Sequence, residues 1–184
     1  MNLRHRISAL FVLASLTMVG CYLPEGTKKI TGGTGKSVDA ESLLVDEQWT
    51  DTVVSATVKI TVGEQTEEIN YLASGKVDLV DHGQQVHIKS DIEMSAFVED
   101  LEDLPVLGLA FFGYCSYQVG GGKPELGYVQ GFVFEVDEED TPHGTVKVLA
   151  VQVFDLNDSF LYTAYANFLS GSFVFHGQNG KPLK

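Results

Sequence analysis

One stretch of the sequence, ITGGTGKS at residues 30–37, has the composition of a phosphate-binding loop. Such loops follow the pattern G-x-x-x-x-G-K-[ST], and Ile30 stands where the first glycine belongs. The chemistry also needs a buried strand before the loop and a helix after it, so that backbone N–H groups and the helix dipole converge on the phosphates. An apolar amino-terminal segment precedes Ile30, and no alternation of strands and helices follows it. We therefore predict that the stretch is a linker and that the chain binds no nucleotide.

Carboxylates and amides cluster in two predicted turns, which are the kind of oxygen-rich loop that suits Ca²⁺. The candidate ligands are Asp137, Glu138, Asp140, Asp155, Asn157 and Asp158. Their spacing does not match the D-x-[DN]-x-[DN]-G pattern of an EF-hand. Acidic turns also keep the ends of hairpins soluble. We expect no metal cofactor, with Ca²⁺ at these turns as the alternative.

The sequence carries no local signature of a catalytic nucleophile or a hydrolytic metal site. It contains no G-x-S-x-G, no H-E-x-x-H and no C-x-x-C motif. Ser, His and Asp side chains from distant parts of a chain can still converge after folding, as catalytic triads do. We assign no catalytic residue and keep a hydrolase assembled across strands as an alternative.

The amino terminus has the layout of an export signal. Arg4 and Arg6 precede an apolar run over residues 7–19 that only Ser and Thr interrupt. A run of this length is too short to span a bilayer and matches the core of a secretory signal peptide. We predict that residues 1–20 are removed on export.

The residues MVGC at positions 18–21 resemble the lipobox of bacterial lipoprotein precursors. This resemblance implies cleavage after Gly20, a diacylglycerol thioether on the Cys21 sulfur and acylation of the new amino terminus. Multiple acyl chains anchor a protein stably where one chain does not. Tyr22 occupies the position at which enteric bacteria commonly use Asp to retain lipoproteins at the inner membrane. The resemblance therefore implies an outer-membrane destination.

Charge and cysteine content narrow the function further. The formal net charge is −13, and nucleic acid, which is bound through clustered Lys and Arg, would be repelled. The chain has two cysteines, so Cys115 has no intrachain partner if Cys21 carries lipid. Because Cys115 alternates in phase with apolar residues, we predict a buried and unreactive thiol.

Residues 21–41 are rich in Gly, Thr, Lys and Pro and lack a period of apolar residues. We predict a flexible tether there, between the lipid and a folded domain at residues 42–184. As a Gly-rich coil, about 20 residues would separate their ends by about 25 Å. Such a tether would lift the domain clear of the lipid headgroups.

Alternation of apolar and polar residues with period two dominates from Thr52 onward and predicts β-strands. In TVVSATVKITV, for example, one face takes Val54, Ala56, Val58, Ile60 and Val62. The eight predicted strands cover residues 52–62, 69–79, 84–94, 110–119, 126–136, 145–154, 160–168 and 172–175. The pattern breaks near residues 95–104, where apolar side chains fall at helical spacing and Pro105 follows, so we predict one short helix.

Short polar turns between successive strands favour antiparallel pairing. We therefore predict an all-β fold, an antiparallel meander of about eight strands that closes into a barrel or a sandwich of lipocalin-like size. Small residues such as Gly113, Cys115 and Ala164 lie at mid-strand on the apolar face. They either let a small barrel pack or leave room for a ligand.

Aromatic residues are concentrated in the second half of the chain, where several strands are apolar on both faces. The set includes Tyr114, Tyr128, Tyr162, Tyr165, Phe160 and Phe168. Such strands are central in a sheet or face a partner. Our leading hypothesis is a non-enzymatic lipoprotein whose acidic β domain binds an envelope protein or glycan. A lipocalin-like carrier of a hydrophobic molecule and an envelope hydrolase are the alternatives.

Overall fold

The computed structural model describes residues 27–32, 35–65, 71–98, 108–136, 146–169 and 172–177. They form one sheet of β-strands joined by turns. No helix in these ranges is long and apolar enough to cross a membrane. The strands are β1 (Thr27–Gly32), β2 (Gly35–Lys36), β3 (Asp39–Leu44), β4 (Thr50–Asp51), β5 (Val54–Gln65), β6 (Tyr71–Asp81), β7 (Val86–Val98), β8 (Gly108–Val119), β9 (Glu125–Val136), β10 (Val146–Asp155), β11 (Phe160–Leu169) and β12 (Phe173–Gly177).

The seven strands from β5 to β11 form an antiparallel meander in which each pairs with the next. Tight turns at residues 82–85, 120–124 and 156–159 join them at one end, which we call the turn end. Gly120 in the second turn has φ 54°, a conformation that glycine adopts at little cost. The meander predicted from the alternation is confirmed.

The segment that carries β1, β2 and β3 closes this meander. On one side β1 and β2 pair with β5, and on the other β1 pairs with β12 and β3 with β11. At the middle of the segment the Ser37 N–H donates to the Val54 carbonyl and the Val38 N–H to the Asn167 carbonyl, each at 2.8 Å. Because β12 continues β11 along the chain, these ladders join the first and last strands of the meander into a barrel.

Alternate side chains of every long strand point into this barrel and form its core. Ile60, Leu79, Ile88 and Leu109 are at most 1 % exposed, as expected for bulky apolar residues on the concave face of a closed sheet. Cys115 belongs to the same buried cluster, as predicted, and burial raises the pKa of its thiol to about 12. The thiolate that would react is therefore scarce at neutral pH.

Gly131 on the inner face makes room for a large neighbouring side chain. A Cβ added to Gly131 of β9 would lie 2.5 Å from Cζ of Phe111, its register partner on β8. The Phe111 ring therefore occupies the space that Gly131 leaves, and Phe111 is 2 % exposed. At this position of the barrel, the small residue allows close packing of an aromatic ring.

The predicted tether over residues 21–41 is wrong where the structure describes it, because β1, β2 and the start of β3 are paired strands. The sequence ITGGTGKS therefore contributes to a barrel wall: Ile30 pairs with Ile60, and Gly35 with Ala56. A Cβ on Gly35 would meet Phe168 at 3.6 Å. This is an ordinary van der Waals distance, so Gly35 lies in a packed wall and not in a flexible linker.

The predicted helix near residues 95–104 is wrong for residues 95–98, which continue β7 and pair with β8 from Ser95 opposite Phe111 to Val98 opposite Gly108. Pairing with a complete neighbouring strand prevails over the helical spacing of apolar residues. Residues 99–104 lie outside the described ranges. The predicted strand at residues 172–175 exists as β12, but it pairs with β1 instead of extending the meander.

Gly113 of β8 lies against the backbone of the neighbouring strand β7, with no room for a side chain. A Cβ there would lie 2.0 Å from the Asp91 carbonyl oxygen of β7, so the backbone itself must move. We expect Gly113→Ala to lower the free energy of unfolding by about 1–3 kcal/mol, the usual cost of overpacking. Gly121→Ala is the control, because no atom lies within 4 Å of its Cβ position. Equal urea midpoints for both variants would contradict this packing.

Candidate functional site

The outer face of β8, β9, β10 and β11 is uncharged, although the chain has 25 acidic and 12 basic side chains. The charged residues in these four strands are Glu125, Glu135, Lys147 and Asp155. By strand alternation, all four occupy positions on the inward face, the face that also carries Phe111, Val133 and Leu149. The outer faces of β5, β6 and β7 differ, since they carry Lys59, Lys76, Lys89, Asp78, Asp91 and Glu93. Charged side chains therefore lie on the outer face of β5, β6 and β7, and the outer face of β8 to β11 carries none.

Four rings, one from each strand, form a continuous row across this uncharged face. The centroid of Phe112 lies 5.5 Å from that of Tyr128, Tyr128 lies 5.6 Å from Phe154, and Phe154 lies 6.2 Å from Phe160. Antiparallel register places Tyr128 opposite Phe154. A bulge between β10 and β11 shifts the register after Val153, so Phe160 pairs with Phe154 and joins the outer face. We call these four residues the aromatic row.

Two exposed apolar side chains extend the aromatic row toward solvent. Tyr114 is 56 % exposed and Leu126 is 72 % exposed. The rings of the row are themselves half-buried. Further along the same face, away from the turn end, Phe132 and Phe134 are only 7 % exposed. The accessible part is thus the aromatic row with Tyr114 and Leu126, which together we call the aromatic surface.

The rings of the aromatic row contact one another in two geometries. Tyr128 and Phe154 are stacked with an interplanar angle of 21°. Phe160 meets Phe154 edge-on at 76°. Offset stacking and edge-to-face contact are the arrangements that aromatic pairs prefer, so the four rings stabilise one another as a row.

A buried carboxylate holds the turn end of the barrel together. Asp81 is fully buried at the end of β6, and its Oδ1 accepts hydrogen bonds from the Thr52 hydroxyl and from the N–H groups of Gly83 at 2.9 Å and Gln84 at 3.0 Å. The hydroxyl of Tyr162, from β11, donates to Oδ2 at 3.0 Å. Burial, followed by the charge of Asp81, raises the pKa of Tyr162. This network links the β6–β7 turn to the opposite wall and was not anticipated from the sequence.

The candidate metal ligands in the β10–β11 turn have a structural role. Oδ1 of Asp155 accepts hydrogen bonds from the N–H groups of Asn157 at 2.7 Å and Ser159 at 2.8 Å, and Asp158 adopts φ 64°. The hydrogen bond from Ser159, and then that from Asn157, lowers the pKa of Asp155. Within the described ranges, no three His, Cys, Asp or Glu side chains are grouped as a metal site would require.

The remaining metal candidates, Asp137, Glu138 and Asp140, lie outside the described residues. The same is true of Gly20 and Cys21 at the predicted processing site. The metal site at Asp137, Glu138 and Asp140 and the processing at Gly20 and Cys21 therefore stay predictions from the sequence.

The carboxylate of Asp155 should make the β10–β11 turn sensitive to acid. Because its pKa is lowered by folding, its contribution to stability is present above the unfolded pKa of about 3.9 and is lost as the pH falls through the folded value. We expect Asp155→Ala to lower the urea midpoint at pH 7, and the difference from the wild type to shrink as the pH falls below about 3.9. Leu156→Ala, a change at a neighbouring exposed residue, should leave the midpoint unchanged. A pH-independent difference would contradict this role.

One serine and one histidine do converge. Ser55 Oγ lies 2.8 Å from His82 Nε2 on the outer surface of the β5–β6 wall. A hydrolytic triad also needs a carboxylate that orients the histidine. The adjacent Asp81 instead directs its oxygens to Thr52, Gly83, Gln84 and Tyr162. The pair therefore provides two elements of a triad without the orienting third among the described residues.

An ion pair occupies the inner face toward the other end of the barrel. Lys147 of β10 contacts Glu135, its register partner on β9. Burial lowers the pKa of Lys147. Both charged side chains in this region of β9 and β10 thus lie on the inner face, and the outer face of the same region carries no charge.

No protein-family model, curated protein or solved structure matches this chain.

Proposed function

We propose that the chain is an exported lipoprotein, anchored to the bacterial outer membrane through Cys21, whose acidic barrel is a non-enzymatic module that docks an envelope protein on the aromatic surface. The anchor is supported by the sequence: basic residues, an apolar core and the small residue and cysteine of MVGC follow one another as in lipoprotein precursors.

The single observation that carries the docking function is the uncharged outer face of β8 to β11 with its row of rings. Interface cores are depleted of charge and enriched in Tyr, Phe and Met relative to other surfaces. Charged residues on the neighbouring wall, such as Lys89 and Asp91, would border the contact as a polar rim.

The two alternatives have less support. A carrier needs space inside the barrel, and the observed inner glycine Gly131 is covered by the Phe111 ring. A hydrolase could use Ser55 and His82, but it lacks a carboxylate behind the histidine in the described part of the chain. The docking function rests instead on an exposed surface that needs no further component.

Replacing the anchor residue tests the first half of the proposal. We expect Cys21→Ser to abolish acyl labelling and to move the protein from the membrane to the soluble fraction. A variant that still fractionates with membranes would refute lipid anchoring at this residue.

Site-specific photo-crosslinking in living cells tests the second half. A photoreactive amino acid at Ser116, which lies opposite Leu126 in the β8–β9 ladder, would project beside the aromatic surface. We expect one discrete protein adduct from this position and none from Thr57 on the opposite wall. Equal adduct patterns from the two positions, or none from Ser116, would contradict docking at the aromatic surface.

A further inference from the structure

The described barrel begins close to the predicted lipid attachment site, which limits how far it can stand from the membrane. β1 starts at Thr27, six positions after Cys21. A fully extended chain covers at most about 3.3–3.6 Å per residue, so the lipidated cysteine and the barrel wall are separated by at most about 22 Å. The long tether expected from the sequence is therefore replaced by a short connection.

The register of β1 identifies the end of the barrel to which the lipid is attached. Thr31 pairs with Lys59 and Lys29 with Thr61 in an antiparallel ladder. The first residue of β1 therefore lies at the end of the barrel where β5 finishes at Gln65. Thr27 itself pairs with Gly177, the last residue of β12. It therefore lies at the end where β5 finishes and β6, β8 and β10 start. This end is opposite the turn end.

The aromatic surface lies toward the turn end. Phe154 is the penultimate residue of β10 and Phe160 the first of β11, and the two flank the turn at residues 156–159. A strand of 12 residues such as β8, tilted as in a barrel of eight strands, spans about 30 Å along the barrel axis. Most of the aromatic surface therefore lies in the half of the barrel nearer the turn end, while Phe112, the fifth of the 12 residues of β8, lies near mid-height.

We propose that the lipid anchor holds the barrel upright on the bilayer, with the Thr27 end facing the lipid headgroups and the aromatic surface presented to the aqueous side. This inference rests on the proposed anchor at Cys21. It identifies two contacts of different chemistry, a lipid surface at one end and a protein that approaches from the aqueous phase at the other. It excludes the anchoring bilayer itself as the occupant of the aromatic surface.

Energy transfer to labelled lipid can measure this orientation. Lipidated protein would be reconstituted into vesicles of phosphatidylethanolamine and phosphatidylglycerol that contain an acceptor dye on a lipid headgroup. A donor dye would be attached to Leu72→Cys, near the anchored end, or to Gly121→Cys in the turn end; Leu72 is 57 % exposed and Gly121 is also exposed. The buried Cys115 would not compete for the label, because burial raises the pKa of its thiol.

We expect transfer from position 72 to be several times more efficient than from position 121. Insertion of a Gly/Ser linker of about 20 residues after Leu23 should reduce the difference, since a flexible chain of this length frees the barrel from the surface. Equal transfer from both positions in protein that sediments with the vesicles would overturn the upright orientation and leave the anchor intact. Failure of the lipidated protein to sediment would refute the anchor, and the orientation with it.

Discussion

Tyr162→Phe is expected to lower the free energy of unfolding by about 3 kcal/mol. Its hydroxyl donates to Oδ2 of Asp81 at 3.0 Å, and both residues are fully buried. Phenylalanine fills the same space but leaves a carboxylate oxygen without its donor, and an unpaired buried polar group costs about 1–3 kcal/mol, more when it is charged.

A double-mutant cycle separates this hydrogen bond from general effects of packing. Asp81→Asn removes the charge, so the combined variant should lose less stability than the sum of the two single variants. Tyr117→Phe is the matched control, because that ring lies 6.3 Å from Tyr162 and is 7 % exposed. Additive effects in the cycle, or an equal loss in Tyr117→Phe, would contradict the role of the network.

The hydrogen bond between Tyr162 and Asp81 should also make the free energy of unfolding depend on pH in the alkaline range. The pKa of Tyr162 is raised by folding, so its contribution is present below the unfolded pKa of about 10 and is lost as the pH rises beyond it. The stability difference between the wild type and Tyr162→Phe should therefore narrow above about pH 10. Denaturant titrations at pH 8 and in the alkaline range would measure it.

The double variant Tyr114→Lys and Leu126→Lys is expected to reduce partner crosslinking from Ser116 at least about tenfold, which corresponds to about 1.4 kcal/mol. Both side chains are exposed, so lysine is tolerated in the free domain. On docking, each ammonium group would be buried without a partner, and charges in that state are costly. Aromatic anchors at interface centres commonly contribute 2 kcal/mol or more.

Variants on the other wall control for the added charge. Val53 and Leu72 are 43 % and 57 % exposed, outside the aromatic surface. Val53→Lys with Leu72→Lys should leave crosslinking and urea midpoints unchanged. A similar loss in both double variants would indicate an effect of net charge, and an unchanged adduct in the first would exclude Tyr114 and Leu126 from the contact.

The sequence predicts those elements of the fold that depend on local alternation. The strands of the meander follow from the period of two, and Cys115 is buried because it is in phase with that period. The wall formed by β1, β2 and β3 does not follow, because Gly, Thr and Lys give no apolar period there. Its strands are stabilised by ladders to β5, β11 and β12, and these neighbours are distant in the sequence.

The candidate site could be predicted only in part for a similar reason. The concentration of aromatic residues was visible, but Tyr162 and Phe168 point into the core while Tyr128 and Phe160 lie outside. The position of Phe160 depends on a bulge, and the period of two alone does not reveal one. The contact of Asp81 with Tyr162 spans 81 positions of sequence, beyond the reach of any local pattern.

Cysteine protection tests the docking of the aromatic surface most directly. Single variants Tyr114→Cys, Leu126→Cys and, on the other wall, Val53→Cys would be treated with maleimide in intact cells and as purified domains. The native background is low, because burial raises the pKa of Cys115 to about 12 and the Cys21 sulfur is proposed to be blocked by a diacylglycerol thioether. We predict that positions 114 and 126 react several times more slowly in cells than in the purified domain, while position 53 reacts equally in both. Equal rates at all three positions in both settings would contradict a docked aromatic surface.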